Sequence, residues 1–127
     1  MSTRDKILQF LYDRVESTPE QIANGIRDEI DNTVLFLKGM QREGLVVEKE
    51  KGIIRKRKVY SLTPTGLEEA KRVKENVQRK AENIMRSIQN GKDPKELMEE
   101  YGDILPMLLM MSMVDAMLQD LILFDQL

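Results

Sequence analysis

The sequence of 127 residues contains neither cysteine nor histidine. Without cysteine the chain has no disulfide and no thiolate nucleophile, and without histidine it lacks the commonest general base and metal ligand. The acidic pairs Glu68-Glu69 and Glu99-Glu100 are accompanied by no Gly-rich phosphate loop and no nucleophile elbow. We therefore expect a protein that is not an enzyme and that holds no cofactor and no metal.

Long apolar runs are scarce as well. The first five residues contain no apolar segment of the kind found in a secretory signal. The longest apolar run, residues 104–114, ends at Asp115 and falls short of the roughly 20 residues that a membrane span needs. These features predict a cytoplasmic protein with no membrane partner, and a buried helix at the apolar run.

Charge is distributed unevenly, although the formal net charge is only −2. Residues 1–90 carry 18 Lys and Arg against 14 Asp and Glu, whereas residues 91–127 carry two against eight. The first part is therefore basic and the second acidic, which predicts different roles for the two parts.

Proline and glycine residues mark where helices begin and end. A capping side chain precedes proline at Thr18-Pro19, Thr63-Pro64 and Asp93-Pro94, as at helix N-termini. Glycines 25, 44, 91 and 102 stand where a left-handed residue ends a helix. With apolar residues at steps of three and four, these signals predict helices over residues 3–15, 19–24, 31–43, 64–90, 94–101 and 104–124.

Two strands are predicted between the third and fourth helices. The apolar period changes there from 3.6 to 2, over residues 45–50 and 54–62, and Lys51-Gly52 joins the two runs. The order of three helices and a hairpin is that of a winged helix-turn-helix. We expect a mainly α fold with a small β-hairpin, as a winged helix-turn-helix domain over residues 1–66 and a helical dimerisation region over 67–127.

Three stretches of sequence resemble the PadR and MarR-like winged-helix transcriptional regulators. They are Gln21-Ile22-Ala23, Glu43-Gly44-Leu45-Val46 and Lys58-Val59-Tyr60-Ser61-Leu62-Thr63-Pro64-Thr65-Gly66. The resemblance covers residues 1 to about 75. It implies a prokaryotic, homodimeric regulator that binds double-stranded DNA, with the third helix in the major groove and the hairpin as a wing.

The candidate DNA contacts lie on the third helix and the wing. With Thr33, Leu37 and Met40 as the buried stripe, the outward positions that would read base edges are Asn32, Val34, Leu35, Lys38, Gln41 and Arg42. Five wing cations within eight residues would contact phosphates: Lys51, Arg55, Lys56, Arg57 and Lys58. Alternatively, these cations form a solvated edge strand.

Apolar residues on the third helix leave two alternatives open. Val34, Leu35 and Phe36 are unusual on a helix that reads DNA. Either the helix is rotated and they belong to the core, or this face makes the domain a protein-interaction module.

The tail predicts an interface between two copies of the chain. The fourth helix has a narrow apolar stripe, and the last helix is apolar nearly all round, so another copy is the expected cover. The interface residues are predicted to be Val73, Val77, Ile84, Ile88, Met107, Met110, Met111, Val114, Met117, Leu118 and Leu121. The methionines alternatively line a pocket for an apolar small-molecule effector, which would make the protein a sensor.

Overall fold

The computed structural model describes residues 2–102, 104 and 105. Their order is α1 (Thr3–Tyr12), α2 (Pro19–Ile26), α3 (Ile30–Arg42), β1 (Val46–Lys51), β2 (Arg57–Leu62), α4 (Pro64–Gln89) and α5 (Pro94–Tyr101). The mainly α fold with one small antiparallel hairpin is confirmed in this part of the chain. The helix predicted over 104–124 lies outside the described residues except at its first two positions.

The described part of the chain divides inside α4 into two compact units, residues 2–74 and the described residues from Glu75 onward. The expected domain boundary at 66/67 stays a prediction, and the first turns of α4 pack on the first unit. Gln9, which is buried, donates a hydrogen bond from Nε2 to the Ala70 carbonyl at 2.6 Å. The ammonium group of Lys74 lies 4.6 Å from the centre of the Tyr12 ring.

Apolar side chains from α1, α2, α3 and the hairpin form the core of the first unit. The most deeply buried ones are Ile7, Leu8, Leu11, Ile22, Leu37, Met40, Val46 and Tyr60. In the second unit, Val77, Ala81, Ile84, Leu97 and Ile104 are buried. Each unit therefore has a core of its own.

Helix starts agree with the predictions, and of the four predicted glycine stops the one at Gly25 is wrong, whereas Gly102 ends α5 but not in the predicted left-handed conformation. Gly44 and Gly91 are left-handed, with φ of 76° and 79°. Gly25 instead lies inside α2, where a Cβ would overlap the Phe10 ring, so this glycine permits close packing of α1 on α2. Arg27 ends α2 in the left-handed conformation, and Gly102 is right-handed with φ of −59°.

The hairpin differs in length from its prediction. Val46 pairs with Leu62 at one end of the ladder and Lys51 with Arg57 at the other. The connection therefore spans residues 52–56, and Lys51 belongs to β1. Ser17 adds an isolated bridge to the outer edge of β2, because its N–H donates to the Tyr60 carbonyl at 3.0 Å and its carbonyl accepts from the Tyr60 N–H at 2.8 Å.

The segment Thr63-Pro64-Thr65-Gly66 fixes the start of α4 against the end of α3. The Thr63 hydroxyl donates to the Gly44 carbonyl at 2.6 Å and accepts from the Gly66 N–H at 2.9 Å. A Cβ at Gly66 would overlap the Leu45 carbonyl, so only glycine allows this approach. The motif that carries the family resemblance thus connects the end of α3, the hairpin and the start of α4.

The Glu48 carboxylate joins the wing to α3. Its Oε2 atom accepts from the Lys38 ammonium group and from the Tyr60 hydroxyl, each at 2.5 Å, and the Lys58 Nζ lies 3.6 Å from Oε1. These donors, Lys38 first and Tyr60 second, lower the pKa of Glu48 from 4.5 to about 2. Glu48 lies in β1, Tyr60 and Lys58 in β2 and Lys38 in α3, so this one carboxylate links the hairpin to α3.

Replacing Glu48 with Gln is expected to destabilise the fold by about 1–2 kcal/mol at pH 7, because a charge-assisted network is removed. The folded-state pKa of Glu48 is depressed, so its contribution is complete above pH 4.5 and disappears as the pH falls towards about 2. Urea unfolding at one protein concentration should therefore show wild type and E48Q converging in stability between pH 5 and pH 2.5. A constant difference over this range would contradict the assignment.

Candidate nucleic-acid interface

α3 buries the stripe that its sequence predicts. Thr33, Leu37 and Met40 are the buried residues of this helix. Leu35 is 66% exposed and Phe36 is 37% exposed, so the alternative in which α3 is rotated to place them in the core is wrong. The side of α3 away from the core is therefore a surface with apolar side chains on it.

A turn of three residues, 27–29, connects α2 to α3. Asp28 follows α2, and its carboxylate accepts from the Glu29 N–H and from the Asn32 side-chain amide, each at 2.7 Å. These hydrogen bonds lower the pKa of Asp28 below its ordinary value, the bond from Asn32 contributing most. The carboxylate thus orders the turn and the first residues of α3.

Two of the predicted recognition residues are engaged within the protein. The Asn32 amide donates to Asp28, and the Lys38 ammonium group is held by Glu48 and lies 5.9 Å from the centre of the Tyr60 ring. Both side chains are bound to neighbours that would compete with a base edge. Asn32 and Lys38 therefore position the turn and the wing in this structure.

The other predicted recognition residues differ in exposure. Val34 is half-buried, whereas Leu35, Gln41 and Arg42 are exposed. Among the predicted set, Gln41 and Arg42 thus offer hydrogen-bond donors to a ligand, and Leu35 offers an apolar contact.

A shallow groove lies between α1 and the outer side of α3. An ion pair spans its edge, with 3.5 Å between Arg4 Nε and Glu43 Oε2. The lining residues are Arg4, Leu35, Phe36, Gly39, Met40 and Glu43. The floor of this groove is apolar, which leaves a protein partner as an alternative to DNA.

The wing carries the five predicted cations, all of them exposed. Lys51 forms an ion pair with Glu16, and Lys58 lies 3.6 Å from Glu48. Within the described part of the chain, no carboxylate pairs with Arg55, Lys56 or Arg57. Moreover, Lys51 stands directly opposite Arg57 in the ladder, a like-charge pair that a bound anion would stabilise.

The predicted interface residues on α4 fall into two groups. Val77 and Ile84 are buried in the single chain, whereas Val73 and Ile88 are half-buried. The remaining seven lie outside the described residues: Met107, Met110, Met111, Val114, Met117, Leu118 and Leu121. The predicted methionine-lined pocket also lies there, so interface and pocket both stay predictions.

Neither a metal-binding cluster nor a membrane span occurs in the described part of the chain. No group of three or more acidic residues that could hold a metal ion is found within residues 2–102, 104 and 105. Over the same residues, no helix has the length and hydropathy needed to cross a bilayer.

Sequence reasoning misses the groups that assemble this surface. In the sequence, Glu48 is one of several charged residues in the wing. Only the structure places it opposite Tyr60 and within reach of Lys38 on α3. Ser17 pairs with β2 as a single residue, which is too short for a periodic signal. Ile54 is predicted as the first residue of the second strand, yet it lies with Ile53 in the loop at the wing tip, and each of the two is 96% exposed.

Comparison by sequence finds no matching family model and no matching curated protein. Solved structures, in contrast, share the fold. A transcriptional regulator homologue from Pyrococcus horikoshii is 27% identical with a TM-score of 0.54, over 64% of this chain and 81% of that chain.

Two other structures represent the families that the sequence resembles. The zinc-responsive MarR family member ZitR of Lactococcus lactis is 20% identical with a TM-score of 0.62, over 82% of this chain and 71% of that chain. A PadR family transcription regulator from Clostridium difficile is 19% identical with a TM-score of 0.55, over 69% of this chain and 99% of that chain. The chain therefore has the winged helix-turn-helix fold of the MarR and PadR transcriptional regulators, and the predicted resemblance to these families is confirmed in the fold.

Proposed function

We propose that this protein is a prokaryotic transcriptional regulator that binds double-stranded DNA sequence-specifically as a homodimer. The observation that carries the proposal is the group of exposed cations Arg55, Lys56 and Arg57, which lack a carboxylate partner among the described residues and stand next to a helix-turn-helix. The regulators that share the fold support the same function.

α3 has the properties of a helix that enters the major groove. The groove accepts one α-helix, and base edges there offer acceptors, donors and the thymine methyl group. The exposed Gln41 and Arg42 supply donors at the C-terminal end of α3, and Leu35 supplies an apolar contact in its middle. We expect sequence preference to come from these three side chains, with Asn32 and Lys38 positioning the surface.

The wing supplies the sequence-independent part of the affinity. Cations that neutralise phosphates release condensed counterions, which makes binding strongly dependent on salt. The Glu48 network holds the wing beside α3, so both elements meet one duplex together.

A salt titration of duplex binding tests the role of the wing. Replacing Arg55, Lys56 and Arg57 with Ala should weaken binding to all sequences alike. It should also reduce the magnitude of the slope of log K against log salt, by up to about 0.9 for each phosphate that the variant no longer neutralises. Fluorescence anisotropy with a labelled duplex measures both quantities.

The matched control replaces the exposed cations Lys71, Arg79 and Lys95 with Ala, which changes the net charge equally outside the wing. We expect a slope near that of wild type for this variant. Equal slopes in wild type and the wing variant would remove the wing from the proposed mechanism.

Homodimer formation is proposed from the apolar tail of the sequence. Residues 104–124 form a run too apolar to remain in water, and Val73 and Ile88 leave part of the α4 stripe uncovered. A dimer would carry two recognition helices, so its operator would be a palindrome with half-sites about one or two helical turns apart.

Sedimentation equilibrium tests this assembly. The full chain should sediment at about twice its mass of 14.8 kDa, and Leu118→Glu should shift it towards monomer because a charge replaces an apolar interface residue. Gln119→Glu, at the adjacent polar position, is the matched control and should leave the dimer intact. A full chain that is a soluble monomer would overturn the dimer.

The second candidate function is a winged-helix module that binds another protein. The exposure of Leu35 and the apolar groove beside it favour this alternative. It predicts no salt-dependent duplex binding, and loss of the protein partner when Leu35 is replaced with Asp.

A further inference from the structure

The wing tip carries two isoleucines whose side chains lie outside the core. Ile53 and Ile54 are each 96% exposed, more than any other large apolar residue in the described part of the chain. Both lie in the loop beyond the last ladder pair, Lys51 and Arg57. These side chains add nothing to the core, and a contact with another molecule would remove their apolar surface from water.

The charge around the isoleucines identifies the kind of contact. Lys51 precedes them and Arg55, Lys56 and Arg57 follow directly. A second copy of the same tip would bring like charges together, which opposes association through this loop. A polyanion with an apolar interior, in contrast, satisfies both the cations and the isoleucines. Duplex DNA is such a molecule, with phosphates outside and stacked bases inside.

The reach of the wing indicates which groove the tip meets. Three residue steps separate Glu48, the point of attachment to α3, from Lys51, which is about 10 Å along an extended strand. With α3 in the major groove, this length is enough to cross one phosphate backbone, and the groove on its other side is the minor groove. Isoleucine has no hydrogen-bonding group, so it reads no base edge there and gains only from contact with sugars and base faces.

We propose that Ile53 and Ile54 form an apolar wedge that enters the minor groove, partly opens a base step and bends the duplex. The inference rests on the proposed DNA-binding function and adds to it a mechanism of shape recognition. Apolar wedges of this type unstack a step and kink DNA by roughly 20–90°. Arg55, Lys56 and Arg57 then hold the phosphates that flank the kink.

The wedge predicts a sequence preference outside the region that α3 contacts. Pyrimidine–purine steps, TA and CA/TG, unstack most readily. Duplexes selected from a random pool should therefore contain such a step beside each half-site. This preference should disappear when the isoleucines are removed, whereas the preference within the α3 site should remain.

The test measures bending with a selected duplex that carries a fluorescence donor and acceptor at its ends. Wild type should raise energy transfer on binding, and 2-aminopurine at the flanking step should brighten as the base unstacks.

The double variant Ile53→Ser with Ile54→Ser should bind within about tenfold of wild type, since the unstacking cost disappears with the apolar contact. It should keep the salt slope of wild type and leave the duplex straight. Circular dichroism should show an unchanged fold, because both side chains are exposed.

Met98→Ser is the matched control, because Met98 is 61% exposed and lies in α5. It should bend DNA as wild type does. Equal bending by wild type and the double serine variant would overturn the wedge while leaving DNA binding in place. Binding to phosphatidylserine vesicles that requires the isoleucines, with bending unaffected by them, would assign the tip to a lipid surface instead. A wild-type chain that binds no duplex would overturn both the wedge and the proposed function.

Discussion

The Glu48 carboxylate links the hairpin to α3, and the proposed DNA-binding surface depends on this interaction. It accepts hydrogen bonds from Lys38 on α3 and from Tyr60 on β2, and it belongs to β1 itself. A hairpin attached only by its ends would pivot about its base. The Glu48 carboxylate ties the hairpin to α3 at a point away from its ends, in addition to the Ser17 bridge and the buried side chains of Val46 and Tyr60.

Two glycines and a short turn also position the helices of the first unit. Gly66 lets α4 begin against the Leu45 carbonyl, and Gly25 lets α1 pack closely on α2. The Asp28 carboxylate orders the turn that leads into α3. These contacts position the helix-turn-helix without using the side chains at the wing tip, which leaves Ile53, Ile54 and three cations available to a ligand. The structure therefore separates residues that build the surface from residues that would bind with it.

Much of the fold follows from local sequence signals. Proline after Thr18, Thr63 and Asp93 predicts helix starts correctly, because capping is a local interaction. The stop predicted at Gly25 is wrong because the reason for this glycine is a contact with Phe10, fifteen residues earlier, which no local pattern contains. Arg27 takes the left-handed position instead, a conformation that sequence statistics assign to glycine.

The candidate site was predictable in its location but less so in its residues. A dense run of cations predicts a basic wing, and this is what the structure contains. Asn32 and Lys38, however, bind Asp28 and Glu48, and such pairings depend on tertiary geometry. The exposure of Ile53 and Ile54 depends likewise on the strands ending at Lys51 and Arg57, which the alternating pattern placed differently.

Amide chemical shifts of the ¹⁵N-labelled chain, followed as a selected duplex is added, test the central claim most directly. If α3 and the wing form one DNA-binding surface, the amides of Leu35 and Arg42 should shift together with those of residues 51–58. The exposed residues of α5 should not move. Shifts confined to α4 and α5, or shifts on α3 without any on the wing, would contradict the account.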